Sequence, residues 1–346
     1  MEKDFAGYDL LSSTGISEYL NNEIKNLKNF LRLFQDNKFL IVLLSPKTGG
    51  KGVFSKILIN HFPGIFYQIE VGNLIKDFDR LVRSGDRDEL VKFLSELMEV
   101  YEGIFTVEEI QGFIKDRLIL TDQVSVPKCV VVALIKIDMN KHPNKTYILD
   151  GFGRTLEQVY MIKRLNQHLQ KDKLKIVIVS IGTDKNLIKF KISKRRICSL
   201  CRTAKYFEIL PSKNIKLMND SSEIVMLCDN SKCEGYNKEI LVVKEGDQNG
   251  FKEIETRVNS DEVYISKVKE ICLEDFFEYD SLQPIGKYSK FEVQDKETYR
   301  IDKLKKIIKK ITRFKIKSSS GELYEVIYPA VMAKNFIKDL NSRYHD

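Results

Sequence analysis

The sequence predicts an α/β fold in which helices cover both faces of a doubly wound parallel sheet. Four apolar runs have the length of buried strands, and segments with helical spacing separate them. The runs lie at 39–44, 65–69, 146–149 and 174–181. Uninterrupted apolar runs are typical of parallel strands that are buried on both faces. With 346 residues, of which 43% are hydrophobic, the chain can bury a core of this size.

The segments around these strands have patterns of their own. Residues 16–34 repeat apolar side chains with the spacing of an amphipathic helix, and 53–61 predicts a second helix. Residues 74–118 are helical and charged, whereas 194–258 combine cysteine pairs with short β-like runs. The basic segment KLKKIIKKI at 303–311 predicts an amphipathic helix, for which we favour a solvated position over the sheet rather than a membrane or RNA contact. A short hairpin is expected from 312, followed by a helix at 330–343.

The chain is basic, with 57 Lys and Arg against 49 Asp and Glu and a formal net charge of +8. Such an excess of positive charge favours binding to phosphates, nucleic acid or an anionic surface. The alternative is a lysine-rich exterior that is simply solvated. No apolar run reaches the length of about 18 residues that a membrane span needs. The first residues carry acids rather than an apolar signal core. We therefore expect a cytoplasmic protein with no membrane partner.

A glycine-rich loop, SPKTGGKGV at 45–53, lies between the first predicted strand and the next helix. In that position its backbone N–H groups and the helix N-terminus can surround phosphate oxygens, and Lys51 can reach the β- and γ-phosphates of a nucleotide. The alternative is a flexible glycine turn without a ligand. The residues predicted to bind ATP here are Ser45, Lys47, Thr48, Gly49, Gly50, Lys51, Gly52 and Val53.

Four of the six cysteines form two close pairs, with two residues between Cys198 and Cys201 and four between Cys228 and Cys233. In a cytosolic protein, such pairs predict metal ligands before disulfides. Four thiolates suit a closed tetrahedral zinc site that is structural, because no ligand position remains open for catalysis. A redox pair is the rival interpretation. An RNA-binding zinc ribbon is another, because basic residues surround the first pair.

The segment YILDGFGRTLEQ at 147–158 resembles adenylate kinases and nucleoside monophosphate kinases in general, which carry D-G-F-P-R-T and a glutamine four residues after the arginine. Here Gly153 replaces the proline. The family's phosphate loop reads G-x-P-G-x-G-K-G-T, so Val53 replaces a threonine hydroxyl for which Ser55 is a candidate substitute. Residues 71–76 and 124–136 resemble its monophosphate-binding motifs, the cysteine pairs resemble its zinc-binding LID, and 284–288 and 299–302 resemble its closing strand region. The likeness covers roughly 39–304.

The resemblance implies a P-loop NTPase-like fold with an inserted helical segment that binds the nucleoside monophosphate (NMP) and a zinc-ribbon-like LID. On this basis the CORE domain comprises 39–69, 134–193 and 259–311. A helical arm at 1–38 precedes it, and a C-terminal extension occupies 312–346. An enlarged NMP-binding domain is expected at 70–133 and the LID at 194–258.

The resemblance also implies phosphoryl transfer from ATP to AMP or another nucleoside monophosphate, with Mg²⁺. The residues expected to act in catalysis are Lys51, Arg154, Arg195, Arg257 and Asp150. Asp150 would orient the waters of Mg²⁺, although a loop or helix-capping role is the alternative. Lys191 and Arg195 complete the expected ATP site. The expected NMP-binding residues are Val71, Gly72, Lys76, Val126, Gly151, Arg154, Gln158, Lys244 and Arg257.

Two other functions remain open at this point. Ser45, Val53, Asn73 and Gly153 depart from the family's motifs and suggest a nucleotide-binding protein with impaired catalysis. The basic excess and the cysteine pairs suggest a zinc-ribbon RNA-binding or assembly protein. We expect a monomer with no specific nucleic acid partner.

Overall fold

A computed structural model describes residues 8–24, 27–84, 88–89, 91–93, 128–152, 160, 174–218 and 223–344. Its centre is a five-stranded sheet in which every neighbouring pair is parallel. The strands are β1 (Lys38–Leu44), β2 (Phe66–Glu70), β3 (Thr146–Asp150), β4 (Leu174–Gly182) and β10 (Phe276–Asp280). Their order across the sheet is β10-β4-β1-β3-β2. The predicted doubly wound α/β class is therefore confirmed, and it is consistent with a P-loop NTPase fold.

Both faces of the sheet are covered because side chains alternate along each strand. Ile41 and Leu43 of β1 pack with helices α1 (Ser13–Glu23), α2 (Leu27–Asp36), α3 (Lys51–His61) and α8 (Pro329–Tyr344). Leu40 and Val42 point to the opposite face and pack with α5 (Lys128–Lys141) and α7 (Glu255–Ile271). Every strand residue from Phe39 to Leu44 is buried, as the continuous apolar run predicts.

The four predicted strands are present, but the sequence interpretation missed the fifth. Strand β10, FFEYD, alternates apolar and acidic side chains, which is the pattern of an edge strand rather than a central one. Residues 284–288 and 299–302 do not close the parallel sheet, in contrast to the resemblance. Pro284 ends the short antiparallel strand β11 (Leu282–Pro284), and residues 299–301 lie in β12 (Asp295–Ile301).

The predicted helix at 16–34 is two helices, α1 and α2, because the backbone leaves the helical region at Ile24. The helix α4 (Val71–Ser84) starts directly after β2 and carries the first part of the expected NMP-binding segment. After β4 the helix α6 (Lys185–Lys194) leads to the cysteine-containing region. Asp184 caps α6 by accepting a hydrogen bond from the backbone N–H of Asn186 at 2.7 Å.

The cysteine-containing region is built from short antiparallel strands rather than from a layered core. The strands are β5 (Arg195–Ile197), β6 (Ala204–Tyr206), β7 (Ile215–Leu217), β8 (Ile224–Met226) and β9 (Val242–Val243). Among the described residues, its buried cluster consists of Met226, Leu241 and three cysteines, with the partly buried Phe207 and Ile215 packed against it. A cluster this small cannot stabilise a domain of this size by apolar burial alone.

The predicted helix at 303–311 is wrong: residues 302–306 form a turn, and β13 (Ile307–Arg313) pairs antiparallel with β12 over seven residue pairs. The carboxylate of Asp302 accepts hydrogen bonds from the backbone N–H groups of Leu304 (2.9 Å) and Lys306 (2.7 Å), which fixes the turn. Apolar residues at 304, 307, 308 and 311 mimic a helical stripe. However, β-branched isoleucines also favour a strand once a partner strand is available.

The chain after this hairpin agrees with the sequence. Strands β14 (Lys315–Lys317) and β15 (Leu323–Val326) form the predicted short hairpin, and α8 follows. The buried face of α8, including Val331, Phe336 and Ile337, packs in the same core as α1 and α3. Within the described ranges, no helix is long and apolar enough to span a membrane.

A buried polar cluster joins the N-terminal arm to the C-terminal extension. Glu292 accepts hydrogen bonds from Tyr19 Oη (2.6 Å), Lys334 Nζ (2.5 Å) and Ser289 Oγ (2.7 Å). Burial alone would raise the pKa of Glu292, but the hydrogen bonds from Lys334, Tyr19 and Ser289 lower it to about 2. Removing one partner of such a pair leaves the other charge buried without compensation.

We expect Glu292→Gln to lower the free energy of unfolding by about 3 kcal/mol at pH 7, because the buried Lys334 ammonium loses its carboxylate partner at 2.5 Å and keeps only Glu23, 3.8 Å away. The pKa of Glu292 is depressed in the folded state, so its contribution is complete above about pH 4.5 and disappears as the pH falls towards about 2. Urea unfolding at pH 7 and pH 3 measures this, and the exposed Glu322→Gln is the control. An equal difference between wild type and Glu292→Gln at both pH values would contradict the prediction.

Candidate active site

The glycine-rich loop adopts a conformation that few residues allow. A Cβ atom on Gly49 would lie 1.7 Å from Ser45 Oγ, and Gly50 has φ of +112°, so both positions require glycine. Thr48 has φ of +66°, which is strained for a β-branched residue. Its Oγ1 is buried without a hydrogen-bond partner among the described residues. Strain and an orphaned hydroxyl in one turn are typical of a loop built around a ligand.

Side chains from neighbouring strands hold this loop. Lys51 Nζ donates a hydrogen bond to the carbonyl of Ser45 at 2.6 Å, so the lysine lies across its own loop. Thr183, just after β4, donates to the Gly49 carbonyl at 3.2 Å and lies 3.2 Å from Ser281 Oγ, just after β10. The sequence interpretation missed Thr183 and Ser281. Their signal is their position, because ligands of open parallel sheets bind at the carboxyl ends of the strands.

Ser55 does not replace the hydroxyl that Val53 lacks. Its Oγ donates to the Lys51 carbonyl at 3.1 Å, and the residue is completely buried inside α3. Val53 itself is exposed on the first turn of this helix. The first turn of α3 therefore offers backbone N–H groups to a phosphate but no side-chain hydroxyl at position 53.

Several expected residues lie along the carboxyl edge of the sheet. Asp150 ends β3 beside Leu43 of β1 and Glu70 of β2. Gly151 lines the same cleft as Lys51, a space of about 20 Å³ that Asp261 and Tyr264 of α7 also border. Further along, Val71 is buried, whereas Gly72 and Lys76 are exposed on α4. Three expected residues, Val126, Arg154 and Gln158, lie outside the described residues.

Cations of the cysteine-containing region approach the glycine-rich loop through a buried carboxylate. Asp247 is 4% exposed and accepts two hydrogen bonds from Arg195, from Nε at 2.6 Å and from Nη2 at 2.6 Å. Lys47 of the loop lies 3.4 Å from the same carboxylate and donates to the Gly246 carbonyl at 3.3 Å. The expected ATP residues Lys47 and Arg195, 148 positions apart, thus share one counterion.

Two further expected residues belong to this cationic group. The pKa of Lys244 is lowered, first by burial and then by the charge of Arg195, with Lys47 and Arg257 adding repulsion against the attraction of Asp247. Lys244 is therefore electrostatically coupled to all three cations. Arg257 is exposed at the start of α7. Asp247 was not among the expected site residues, because no local pattern predicts its long-range pairing.

Lys191 occupies a different kind of position on α6. Part of its surface reaches solvent, yet protein atoms surround it densely. This burial lowers the pKa of Lys191 to about 8, and no acidic group in the described ranges offsets the shift. A largely enclosed cation that has no counterion among the described residues binds an anion favourably, because the anion stabilises the charge in place of the water that burial removed.

The four paired cysteines meet at one point. Their Sγ atoms all lie within 4.8 Å of one another, with 3.8 Å between Cys198 and Cys233 and 3.7 Å between Cys201 and Cys228. A tetrahedral zinc ion with Zn–S bonds of about 2.3 Å requires S···S distances of about 3.8 Å. A disulfide needs about 2.05 Å, so the spacing suits a metal rather than a redox bridge. The donor set and geometry therefore fit structural zinc.

Comparison with known proteins finds several adenylate kinases that resemble the chain, although no protein-family model matches it. Over 191 residues it is 30% identical to the adenylate kinase of Kosmotoga olearia, covering 55% of this chain and 69% of that relative. It is 27% identical over 161 residues to the adenylate kinase of Borreliella burgdorferi, covering 46% of this chain and 60% of that protein.

A shorter match of 82 residues is 34% identical to the adenylate kinase of Mycoplasma mobile, covering 24% of this chain and 35% of that relative. The matches to the Borreliella and Mycoplasma proteins thus span less than two thirds of those relatives' lengths. Three findings point to the same family: the strained glycine-rich loop, the four-thiol cluster and the match to the Kosmotoga enzyme. The chain is a divergent member of the adenylate kinase family.

Proposed function

We propose that this protein is an adenylate kinase that transfers the γ-phosphoryl group of ATP to AMP, giving two ADP, with Mg²⁺. The observation that supports it most is the shared counterion Asp247, which draws Arg195 towards Lys47 of the glycine-rich loop. Phosphoryl transfer depends on positioning and charge neutralisation more than on covalent chemistry. Arg195 and Lys47 come from distant parts of the chain and lie beside the same phosphate loop, where they can neutralise phosphate charge.

In the proposed mechanism, Lys51 leaves the Ser45 carbonyl and binds the β- and γ-phosphates of ATP. Arg195, Arg257 and the undescribed Arg154 stabilise the charge of the transferring group, and Lys244 and Lys76 bind the monophosphate. Asp150 would hold water ligands of Mg²⁺, which neutralises phosphate charge when bound. The acceptor is a phosphate oxygen that is already anionic at neutral pH, so no general base is required.

The cleft beside Lys51 is too small for this reaction as it stands. Its accessible volume of about 20 Å³ has room for about one water molecule, and Asp261 and Tyr264 border it. We therefore propose that α7 and the LID move away to admit the nucleotides. Their return would exclude water, which prevents ATP hydrolysis. The domain division into CORE, NMP-binding segment and LID is part of this proposal.

A nucleotide-binding protein with impaired catalysis is the second candidate, and one observation favours it. The buried Ser55 bonds to the helix backbone, so it does not supply the hydroxyl that Val53 lacks. A coupled assay that measures ADP formed from ATP with AMP, GMP, CMP or UMP distinguishes the two. Turnover with AMP supports the first proposal, whereas tight ATP binding without turnover on any monophosphate supports the second.

The pH dependence of ATP binding tests the assignment of Lys191. Its pKa of about 8 in the free protein would rise when phosphate binds, because the anion favours the charged lysine. Affinity should therefore be constant below about pH 8 and fall by up to about tenfold per unit above it. Calorimetric titration from pH 6.5 to 9.5 at constant ionic strength measures this.

In Lys191→Met, the loss of affinity that begins near pH 8 should disappear. Lys189→Met is the matched control, because Lys189 lies on the same helix and is exposed. If the wild type and Lys191→Met show the same onset, Lys191 is not an ATP ligand.

A further inference from the structure

The hairpin formed by β12 and β13 is not used by the proposed reaction. Among the described residues, its two strands hydrogen-bond only to each other in the sheet. Its base is attached to the LID, because the Glu297 N–H donates to the Glu208 carbonyl at 2.7 Å and Lys296 lies 2.8 Å from the Glu208 carboxylate. The hairpin then extends for seven residue pairs, about 20 Å.

Positive charge accumulates at the far end of this hairpin. Residues 295–313 include eight Lys and Arg but only three carboxylates. Asp295 pairs with Arg313 at 3.2 Å, and Glu297 pairs with Lys309 at 3.4 Å. The Asp302 carboxylate is turned towards the backbone N–H groups of its own turn.

No carboxylate within the described ranges forms an ion pair with the remaining cations of the far end. They are Arg300, Lys303, Lys305, Lys306 and Lys310. The structure thus leaves five cations uncompensated on a protruding element, where their mutual repulsion is relieved only by solvent, salt or an anionic partner.

Exposed aliphatic side chains lie among these cations. Leu304, at the centre of the turn, is 75% exposed, and Ile308 is 51% exposed. The register places Ile308 opposite Arg300, and Lys310 opposite Thr298, so these four residues share one face of the hairpin. At the tip, the exposed side chain of Leu304 is therefore flanked by lysines. The strands next to the turn present a face that carries both basic and aliphatic side chains.

We propose that the tip of the β12–β13 hairpin binds the surface of an anionic phospholipid bilayer. The lysines would attract the negative lipid headgroups, and Leu304 would enter the boundary between headgroups and acyl chains. No membrane-spanning segment is needed for such a peripheral contact, so it is compatible with the sequence. It replaces our expectation that the protein has no membrane partner.

A nucleic acid is the less suitable partner for this surface. Single-stranded nucleic acids are bound by exposed aromatic rings on which bases stack. The one aromatic residue of the hairpin, Tyr299, is half-buried, hydrogen-bonded to Glu297, and packed against Phe207 of the LID at 5.8 Å between ring centroids. The aliphatic side chain of Leu304 would also make no favourable contact with the phosphate backbone of a nucleic acid. A second copy of the chain would bring the same charge and be repelled.

Sedimentation with vesicles tests the proposal on the full chain. Wild type should bind vesicles of phosphatidylcholine with about one third phosphatidylserine and should not bind pure phosphatidylcholine. Because each cation near an anionic surface strengthens binding about fivefold, the triple variant Lys303→Ala, Lys305→Ala, Lys306→Ala should bind on the order of 100-fold more weakly. Leu304→Ser should weaken the binding that remains at moderate salt.

The matched control is the triple variant Lys56→Ala, Lys252→Ala, Lys267→Ala, which removes the same charge from exposed positions outside the hairpin. It should bind within about twofold of wild type if the hairpin is the site. Circular dichroism and phosphoryl transfer should be unchanged in both triple variants, which separates this test from the proposed function. Equal losses in both variants, no vesicle binding, or hairpin-dependent binding to RNA but not to vesicles would each overturn the proposal.

Discussion

Lys51→Ala is expected to lower the rate of phosphoryl transfer about a thousandfold or more while the protein remains folded. Lys51 is half-buried, and its ammonium contacts the Ser45 carbonyl of its own loop at 2.6 Å. In the proposed reaction it supplies a positive charge at the phosphates, which alanine cannot replace. Transition-state stabilisation by such a charge in a water-excluded cleft accounts for an effect of this size.

Lys56→Ala is the matched control, because it removes an exposed lysine from the same helix without touching the loop. Initial rates with ATP and AMP, together with the thermal unfolding midpoint, measure both parts of the prediction. The same loss is expected for Arg154→Ala, which lies outside the described residues. Near-normal rates in both Lys51→Ala and Arg154→Ala would reject the assignment of the site.

The central sheet was predictable because burial on both faces leaves a continuous apolar run in the sequence. Phe39 to Leu44 are all buried, which is the result expected for a parallel strand covered by helices on both faces. Strand β10 escaped prediction for the same reason. At the edge of the sheet, Glu278 and Asp280 point to solvent between buried aromatic residues, so the run is interrupted.

The hairpin at 295–313 was mistaken for a helix because the spacing of isoleucine and leucine fits both structures. A strand depends on a partner that lies elsewhere in the sequence, and local periodicity contains no information about that partner. The turn at Asp302 was the available local signal. A short acceptor side chain that bonds the backbone two and four residues later favours a turn over a helix.

The candidate site was predictable only as far as its motifs are local. The loop at 45–53 and the cysteine pairs each occupy a short segment, so their residue types and spacing indicated phosphate and zinc. The pairing of Asp247 with Lys47 and Arg195 joins segments that are 200 and 52 positions apart. No spacing rule predicts such a contact, because the fold alone determines it.

Removal of zinc is expected to unfold the LID while the parallel sheet remains. We predict about one zinc per chain, bound by Cys198, Cys201, Cys228 and Cys233, whose Sγ atoms lie within 4.8 Å of one another. Zinc binding can contribute about 10 kcal/mol to the folding of small domains. Among the described residues, the fully buried members of the cluster around the thiols are Met226, Leu241 and three cysteines, so apolar burial there contributes little compared with a metal.

Cys228→Ser should lose the metal and increase hydrogen exchange across 198–243, with the exchange of β1 and β4 unchanged. Cys272→Ser is the control, because Cys272 lies outside the cluster at the end of α7. Phosphoryl transfer should fall along with the metal, since Arg195, Lys244 and Asp247 flank the zinc-bound segments and lose their positions.

Metal analysis that finds no zinc in carefully prepared protein would contradict the assignment. Reversible oxidation of the four thiols would then support a redox role. Disulfide formation would require the Sγ atoms of each pair to move about 1.7 Å closer together.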